Sequence, residues 1–295
     1  MATILNSATG NSAKVKISVY QGRCTDDVEQ NLNRVYQIID EAGTGGSDFL
    51  CVPEGYLSNY KRELALRLDD ERVQALIAYT ARYDMVVIVG LSELEKKQEQ
   101  ECVYNTALVL YQGRQLGKYR KTMLTGYDQK IFDADYELPI FEAKGIPFGV
   151  IICHDSSFVE PALTMRWKGA RLLFTPHYNL IPYEQMDEHR TLVHNNHVGL
   201  SALLQMVVAR ANTVGWNEKQ LGYGDSLIMS PLGVPVATAP LFKETLISAE
   251  FDRSLFEEES WRRRQEVPLE VCQQLWEASQ QVAEPRNDHL FFPGR

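Results

Sequence analysis

Phe49-Leu50-Cys51-Val52-Pro53-Glu54 is a short apolar run that closes on a proline and a carboxylate. An apolar run of this length bounded by turn signals reads as a buried strand, and the C-terminal edge of such a strand is where open α/β sheets place their chemistry. Just upstream, Gly43 to Ser47 ends a helix in which Val28, Leu32, Val35, Ile39 and Ala42 form one apolar stripe, with Asp26 or Asp27 as its cap. Before that helix, Lys14 to Tyr20 turns Val15, Ile17 and Val19 to one face, the period of a half-buried strand. Downstream, the pattern predicts a helix over Asp69 to Arg82 and a strand over Met85 to Gly90, completing βαβαβ. Tyr104 to Tyr111 and Arg114 to Tyr119 follow as strands joined at Gln112-Gly113, a hairpin.

In the second half, Phe148 to Ile152 runs apolar into Cys153, Phe158 to Lys168 reads as helix and Ala170 to Thr175 as strand. Cys153 therefore sits at a strand-to-helix turn. A helix is expected over Glu184 to His197, and strands over Met206 to Ala211, Ser226 to Ser230 and Leu246 to Phe251, with a turn at Pro231-Leu232-Gly233. Strands and helices alternate early and mixed strands follow, which predicts a layered α/β domain with a mixed sheet. The expected division is a flexible N-terminus over 1–13, one domain over 14–252 and a weakly patterned tail over 253–295.

With 295 residues and 44% hydrophobic content the chain can bury a full core. Thirty Lys and Arg against 39 Asp and Glu leave a formal charge of -9, which speaks against nucleic acid and against an anionic membrane as partners. No apolar run approaches the roughly 18 to 20 residues that span a bilayer, and Met1 to Gly10 lacks a charged and then apolar leader, so a cytoplasmic location is expected. The five cysteines, Cys24, Cys51, Cys102, Cys153 and Cys272, are odd in number and form no CxxC pair. A disulfide framework and a structural zinc site are disfavoured, and one reduced thiol is free to react.

Strand ends or their neighbours bring up a carboxylate (Glu54), an amine (Lys121) and a thiol (Cys153), 67 and then 32 positions apart. These groups suffice for acyl transfer. A thiol with a pKa of about 8.5 is only about 3% thiolate at pH 7, so it needs a base or a nearby cation. Glu54 is the expected base. Lys121, kept protonated, is expected to lower the thiol pKa and to stabilise an oxyanion.

Phe49 to Glu54, then Gly117-Lys118-Tyr119-Arg120-Lys121, then Gly149-Val150-Ile151-Ile152-Cys153-His154-Asp155 resemble, in order and spacing, the three motifs of the nitrilase superfamily of carbon-nitrogen hydrolases. The resemblance extends to Gly169 to Pro176 and to Gly224-Asp225-Ser226 before Pro231-Leu232-Gly233, and spans about residues 14 to 252. It implies an α-β-β-α sandwich, four layers once two subunits pack together, with mixed sheets extended by dimerisation, a Glu-Lys-Cys triad and no metal or organic cofactor. It also implies a small amide or N-carbamoyl compound as substrate, with the backbone N–H of His154 sharing the oxyanion with Lys121. Many members carry a second glutamate between lysine and cysteine. Alignment on Phe132 puts Asp128 there, and Glu137 is the alternative bearer of that role unless it is lost. The family's Arg-Ala-x-Glu-Asn stretch is replaced by Leu-Ser-Ala-Leu-Leu at Leu200 to Leu204.

Residues flanking the motif ends are candidates for a pocket lining, foremost Tyr60, Tyr178 and Asn179, with Tyr56, Arg62, Ser156, Ser157 and His177. Members acting on nitriles usually have Trp-Glu after the nucleophile, where this chain has His154-Asp155, so amides are favoured and nitrile hydrolysis is the alternative within the family. A non-catalytic scaffold is the alternative outside it. His194 and His197, with Glu188 or His189, have the spacing of metal ligands on a helix, and Gly224-Asp225-Ser226-Leu227 spells a serine-esterase motif without its downstream partner. A homodimer is implied by the resemblance, with Leu269, Val271, Leu275, Trp276, Phe291 and Phe292 of the tail as candidates to cross onto the partner.

Overall fold

The computed structural model describes residues 14–98, 100–216, 219–257 and 267–281. The N-terminus over 1–13, and Phe291 and Phe292 of the tail, lie outside the described residues. The described chain divides into two compact units, the first ending at Phe256.

The first unit is built on two six-stranded mixed sheets. In one, β1 (Lys14–Gln21), β2 (Phe49–Cys51) and β3 (Val86–Lys97) run parallel. Their flanks are β4 (Gln100–Tyr111), β5 (Arg114–Arg120) and β15 (Thr245–Asp252), all antiparallel to their neighbours. The other has β7 (Ile146–Val150), β8 (Leu172–Pro176) and β10 (Val207–Ala211) parallel at its centre. Here the flanks are β6 (Ile140–Ala143), β13 (Leu227–Met229) and β14 (Pro235–Thr238). A small sheet joins β9 (Leu180–Ile181), β11 (Val214–Trp216) and β12 (Leu221–Tyr223).

Side-chain alternation decides how the layers stack. Along the first sheet Phe49, Cys51, Val86, Ile88, Ala107 and Val109 enter one buried cluster with Phe148, Val150 and Phe174 of the second sheet. The alternate residues Leu50, Val52, Val87, Val89, Leu108 and Leu110 face the opposite way, onto α1 (Val28–Thr44) and α2 (Glu71–Tyr79). Phe49 sits at the seam, its ring 5.4 Å from Phe148 and 5.8 Å from Phe174. On the far side of the second sheet, α3 (Val159–Trp167) and α4 (Met186–Leu204) bury Ala162, Met165, Leu200 and Leu204. One chain thus supplies all four layers of an α-β-β-α sandwich, which corrects the expectation that a second subunit is needed to complete them. Leu200 and Leu204 from the stretch that departs from the family pattern are core residues of α4.

Local signals held where they were strong. Asp27, and not Asp26, caps α1, accepting from the Gln30 N–H at 3.1 Å. Gln112 and Gly113 both adopt positive φ, 49° and 74°, which suits the twist of a two-residue hairpin. Other elements differ from the sequence expectation. The β3–β4 ribbon runs well past Gly90, because Glu93, buried within it, is held by Arg120 and Thr106; charge in this stretch disguised it as loop. α4 continues beyond His197 to Leu204, and the short strands β6, β9, β11, β12 and β14 are too brief to show a period. In the second unit, α5 (Leu269–Gln281) leaves Leu269 and Trp276 exposed.

Gly90 is where β3 passes the turn after β2. A Cβ there would lie 2.4 Å from the Gly55 nitrogen and 2.7 Å from the Pro53 oxygen, backbone atoms that cannot step aside. Gly90→Ala is expected to cost about 1–3 kcal/mol by overpacking. Gly199→Ala, in the interior of α4 with nothing within 4 Å, is expected to stabilise by about 0.5–1 kcal/mol. Urea unfolding of the two variants beside the wild type checks both signs.

Candidate active site

Glu54 lies just past β2, Lys121 directly after β5 and Cys153 after the apolar run that extends β7. The sandwich brings these ends together. The Lys121 N–H donates to the Asn105 carbonyl at 2.9 Å, prolonging the β4–β5 ladder and setting the side chain inward. Its ammonium is buried, 2.9 Å from Glu54 Oε1, 2.9 Å from Asp128 Oδ2 and 3.4 Å from the Tyr60 hydroxyl. Tyr60 donates to Asp128 Oδ1, and Asn105 Nδ2 donates to Glu54 Oε1 at 2.7 Å. Among the described residues Glu54 Oε2 has no hydrogen-bond partner, which leaves a buried basic oxygen available. Asp128 therefore occupies the place of the second carboxylate, while Glu137 is exposed.

Cys153 is part-exposed and takes φ 47°, a left-handed conformation that a non-glycine residue adopts only when its surroundings impose it. Asp155 imposes it. Its carboxylate, fully buried, accepts from the Ile152 N–H at 2.8 Å and the Met123 N–H at 2.7 Å, and from the hydroxyls of Tyr119 at 2.7 Å and Thr122 at 3.0 Å. One side chain thus ties the Cys153 turn to the segment that carries Lys121. Cys153 to Ser157 forms a 3-10 turn, and the N–H of Asp155 is the first to bond back, to Ile152 O. The N–H groups at the start of such a turn are left for an external acceptor.

Burial raises the Glu54 pKa above the usual carboxylate range, and Asp128 adds to this against the opposing pull of Lys121. For Lys121, burial alone favours the neutral amine, but Glu54, Tyr60, Cys153 and Asp128 overcome it and hold the pKa well above normal. Burial likewise opposes ionisation of Asp128, and Lys121 and Tyr60 outweigh it, so Asp128 stays below its usual range. The thiol of Cys153 is pushed up, first by burial and then by Glu54 and Asp128, with Lys121 and the Tyr178 N–H pulling less strongly the other way. Lys121 does lower the thiol pKa, as expected, but burial first and then Glu54 outweigh it. Burial also raises Asp155.

His154 turns its ring edge-on to Phe158, 5.2 Å between centroids, and burial and Lys121 lower its pKa. Tyr60 stacks on Tyr178 at 5.1 Å and on Tyr127 at 6.3 Å, a flat aromatic wall beside the cluster. Asn179 Nδ2 is 3.6 Å from Cys153 Sγ. Arg62 points away, donating to the Ile131 carbonyl, and Ser156 donates to the Cys153 carbonyl. Asn105, Asp155 and Arg210 went unselected from sequence. Their signal was there, since each is a polar residue in or against an apolar strand, where a buried polar group needs a reason.

The competing motifs dissolve. His197 is fully buried with Nε2 on Thr175 Oγ1 and Nδ1 on the Val193 carbonyl, so both ring nitrogens are committed. His189 bonds the Tyr223 hydroxyl, and no metal-ligating cluster occurs among the described residues. Ser226 is buried and accepts from the Asn212 N–H, while Asp225 pairs with Arg190. No described helix is long and apolar enough to cross a membrane.

A sandwich of this topology with a Glu-Lys-Cys site is the architecture of a hydrolase of carbon-nitrogen bonds, and comparison with known proteins agrees. The carbon-nitrogen hydrolase family profile matches residues 16–262. A protein of Pseudomonas protegens described as a hydrolase in the pqqF 5′ region is 32% identical, covering 87% of this chain and 90% of its own length. An N-carbamoylputrescine amidase of Arabidopsis thaliana is 26% identical, covering 85% and 92%. A nitrilase-superfamily protein of Saccharomyces cerevisiae, 22% identical, superposes with a TM-score of 0.73 over 95% of this chain and 98% of its own. The chain belongs to the carbon-nitrogen hydrolase family.

Asp155→Ala leaves the Ile152 and Met123 N–H groups and two hydroxyls without their acceptor. A loss of about 2–4 kcal/mol is expected, read as a lowered urea midpoint at unchanged slope.

Proposed function

We propose that this protein cleaves a non-peptide carbon-nitrogen bond in a small linear amide or N-carbamoyl compound through a Cys153 thioester, releasing ammonia or an amine. The observation that carries this reading is the buried Glu54–Lys121–Asp128 cluster beside a thiol held at a strained strand-end turn. Because the resting thiol is protonated, attack requires a proton acceptor, and Glu54 with its raised pKa and free Oε2 is suited to take the proton and give it back. In the first step the Cys153 S–H proton passes to Glu54 as sulfur bonds to the carbonyl carbon. The oxyanion that forms is held by the Lys121 ammonium and the His154 backbone N–H. Glu54 then protonates the nitrogen as the carbon-nitrogen bond breaks. A water gives a proton to Glu54 and adds to the thioester, and collapse returns the acid and the thiol.

Tyr60 and Tyr178 are assigned to the wall beside the acyl group, and Asn179 to the sulfur. The similarity to N-carbamoylputrescine amidase favours a carbamoyl or amide group over a nitrile.

Wild type and Cys153→Ala are to be incubated with simple amides, N-carbamoyl amines and nitriles while ammonia is measured and Cys153 is inspected for an acyl adduct by mass spectrometry. Turnover of amides or carbamoyl compounds, lost by on the order of 10³-fold or more in Cys153→Ala, is expected. No turnover and no adduct across the panel would sink the proposal, and turnover of nitriles alone would replace it.

The acid limb of kcat/KM should follow Glu54, which must be ionised to act. Its raised pKa places the fall in activity above about pH 4.3, the ordinary glutamate value. In Asp128→Asn the limb should move to lower pH, since Asp128 is one of the charges that raise Glu54. An unmoved limb would remove Glu54 as the titrating base.

A further inference from the structure

Arg210 stands within the apolar strand Val207-Val208-Ala209-Arg210-Ala211 and is almost completely buried. Among the described residues no carboxylate pairs with it. Asp225 offers it a backbone carbonyl, 2.5 Å from Nη1, and directs its carboxylate to Arg190 Nε at 2.9 Å. Arg210 Nη2 donates to Asn179 Oδ1 at 2.8 Å and to the Tyr223 hydroxyl at 3.3 Å, and Nε has no partner among the described residues. A guanidinium has donors and no acceptor, so the Asn179 amide can meet it only with its oxygen. The amide nitrogen is thereby turned toward the Cys153 sulfur, 3.6 Å away.

Charge points the same way. Glu54 and Asp128 face the sulfur and disfavour a thiolate, while Lys121 and the Tyr178 backbone N–H favour it. His154, next in the chain, is made less basic by burial and Lys121; His177 and His189, by burial and then by Arg210 itself. Tyr223 and Tyr60 stay neutral phenols, raised by burial. Two carboxylates thus stand against one ammonium at the sulfur, which makes a hydrogen-bond donor aimed at it, the Asn179 amide, count for more.

We propose that Arg210 is a positioning residue for the nucleophile: it holds Asn179 as a hydrogen-bond donor to the Cys153 sulfur. This rests on Cys153 being the nucleophile. Arg210 also ties Gly224 and Asp225 through Nη1, and a purely structural role of that kind would alter stability without altering the reactivity of the thiol.

The test is alkylation of Cys153 by iodoacetamide, followed by peptide mass spectrometry at fixed pH values, on full-length wild type, Arg210→Met, Arg210→Lys and Asn179→Asp, with thermal unfolding in parallel. Arg210→Met should slow alkylation about tenfold at each pH, and Asn179→Asp at least as much, because each removes the donor aimed at sulfur. Arg210→Lys, which keeps the charge but loses the fork, should fall between. Wild-type rates in folded Arg210 variants overturn the proposal, as does slowing by Asn179→Asp with none in either Arg210 variant. Should Arg210→Met not fold, Arg210→Lys and Asn179→Asp decide it by the same rule. Alkylation needs no substrate, so the result stands apart from the amide assays: absent turnover would remove the enzymatic reading and leave the positioning role intact.

Discussion

A lysine ammonium withdrawn from water needs anions around it, and the Lys121 side chain, 1% exposed, has Glu54 and Asp128 each at 2.9 Å. Desolvating such a group costs several kcal/mol, and stripping one partner from a buried pair costs roughly 3–5 kcal/mol because the other charge is left stranded. The cluster therefore exists only while the end of β2, the end of β5 and the turn at Asp128 are held together. Gly90 lets β3 pass against the Pro53–Gly55 backbone, Asn105 holds Glu54 from β4, and Tyr60 loops back to reach Asp128. Much of the local architecture serves to keep that ammonium paired.

The same arrangement explains why the thiol is not simply activated by its neighbour. A site with two carboxylates and one ammonium is poor ground for a thiolate, and it suits a mechanism in which the proton leaves sulfur only as the bond to carbon forms. Glu54 is raised by the very burial that raises Cys153, so their proton affinities move together. Asp155 and Arg210 brace the Cys153 side of the site from behind. One fixes the backbone turn and the other orients the amide that faces the sulfur.

Legibility from sequence followed the range of the forces involved. The Val28 to Ala42 stripe, the Gln112-Gly113 turn and the apolar runs into Glu54 and Cys153 are local patterns, readable because periodicity and turn chemistry act over a few residues. The extension of β3 and β4 was hidden, since Glu93 and Arg120 look like loop residues until they are seen to satisfy each other across strands. Asp128 and Glu137 could not be separated from sequence, because which carboxylate reaches Lys121 depends on the path of the loop.

By itself, then, the sequence determined the alternating strands and helices, the strand-end positions of Glu54 and Cys153, and, through its motifs, the family. Those follow from residue type and spacing along the chain. The tertiary structure alone decided that Asp128 joins the cluster, that Asp155 pins the Cys153 turn, that Arg210 stands behind Asn179 and that the thiol pKa rises. Each of these is a matter of distance and burial between segments far apart in the chain, and electrostatics in a desolvated site depends on both.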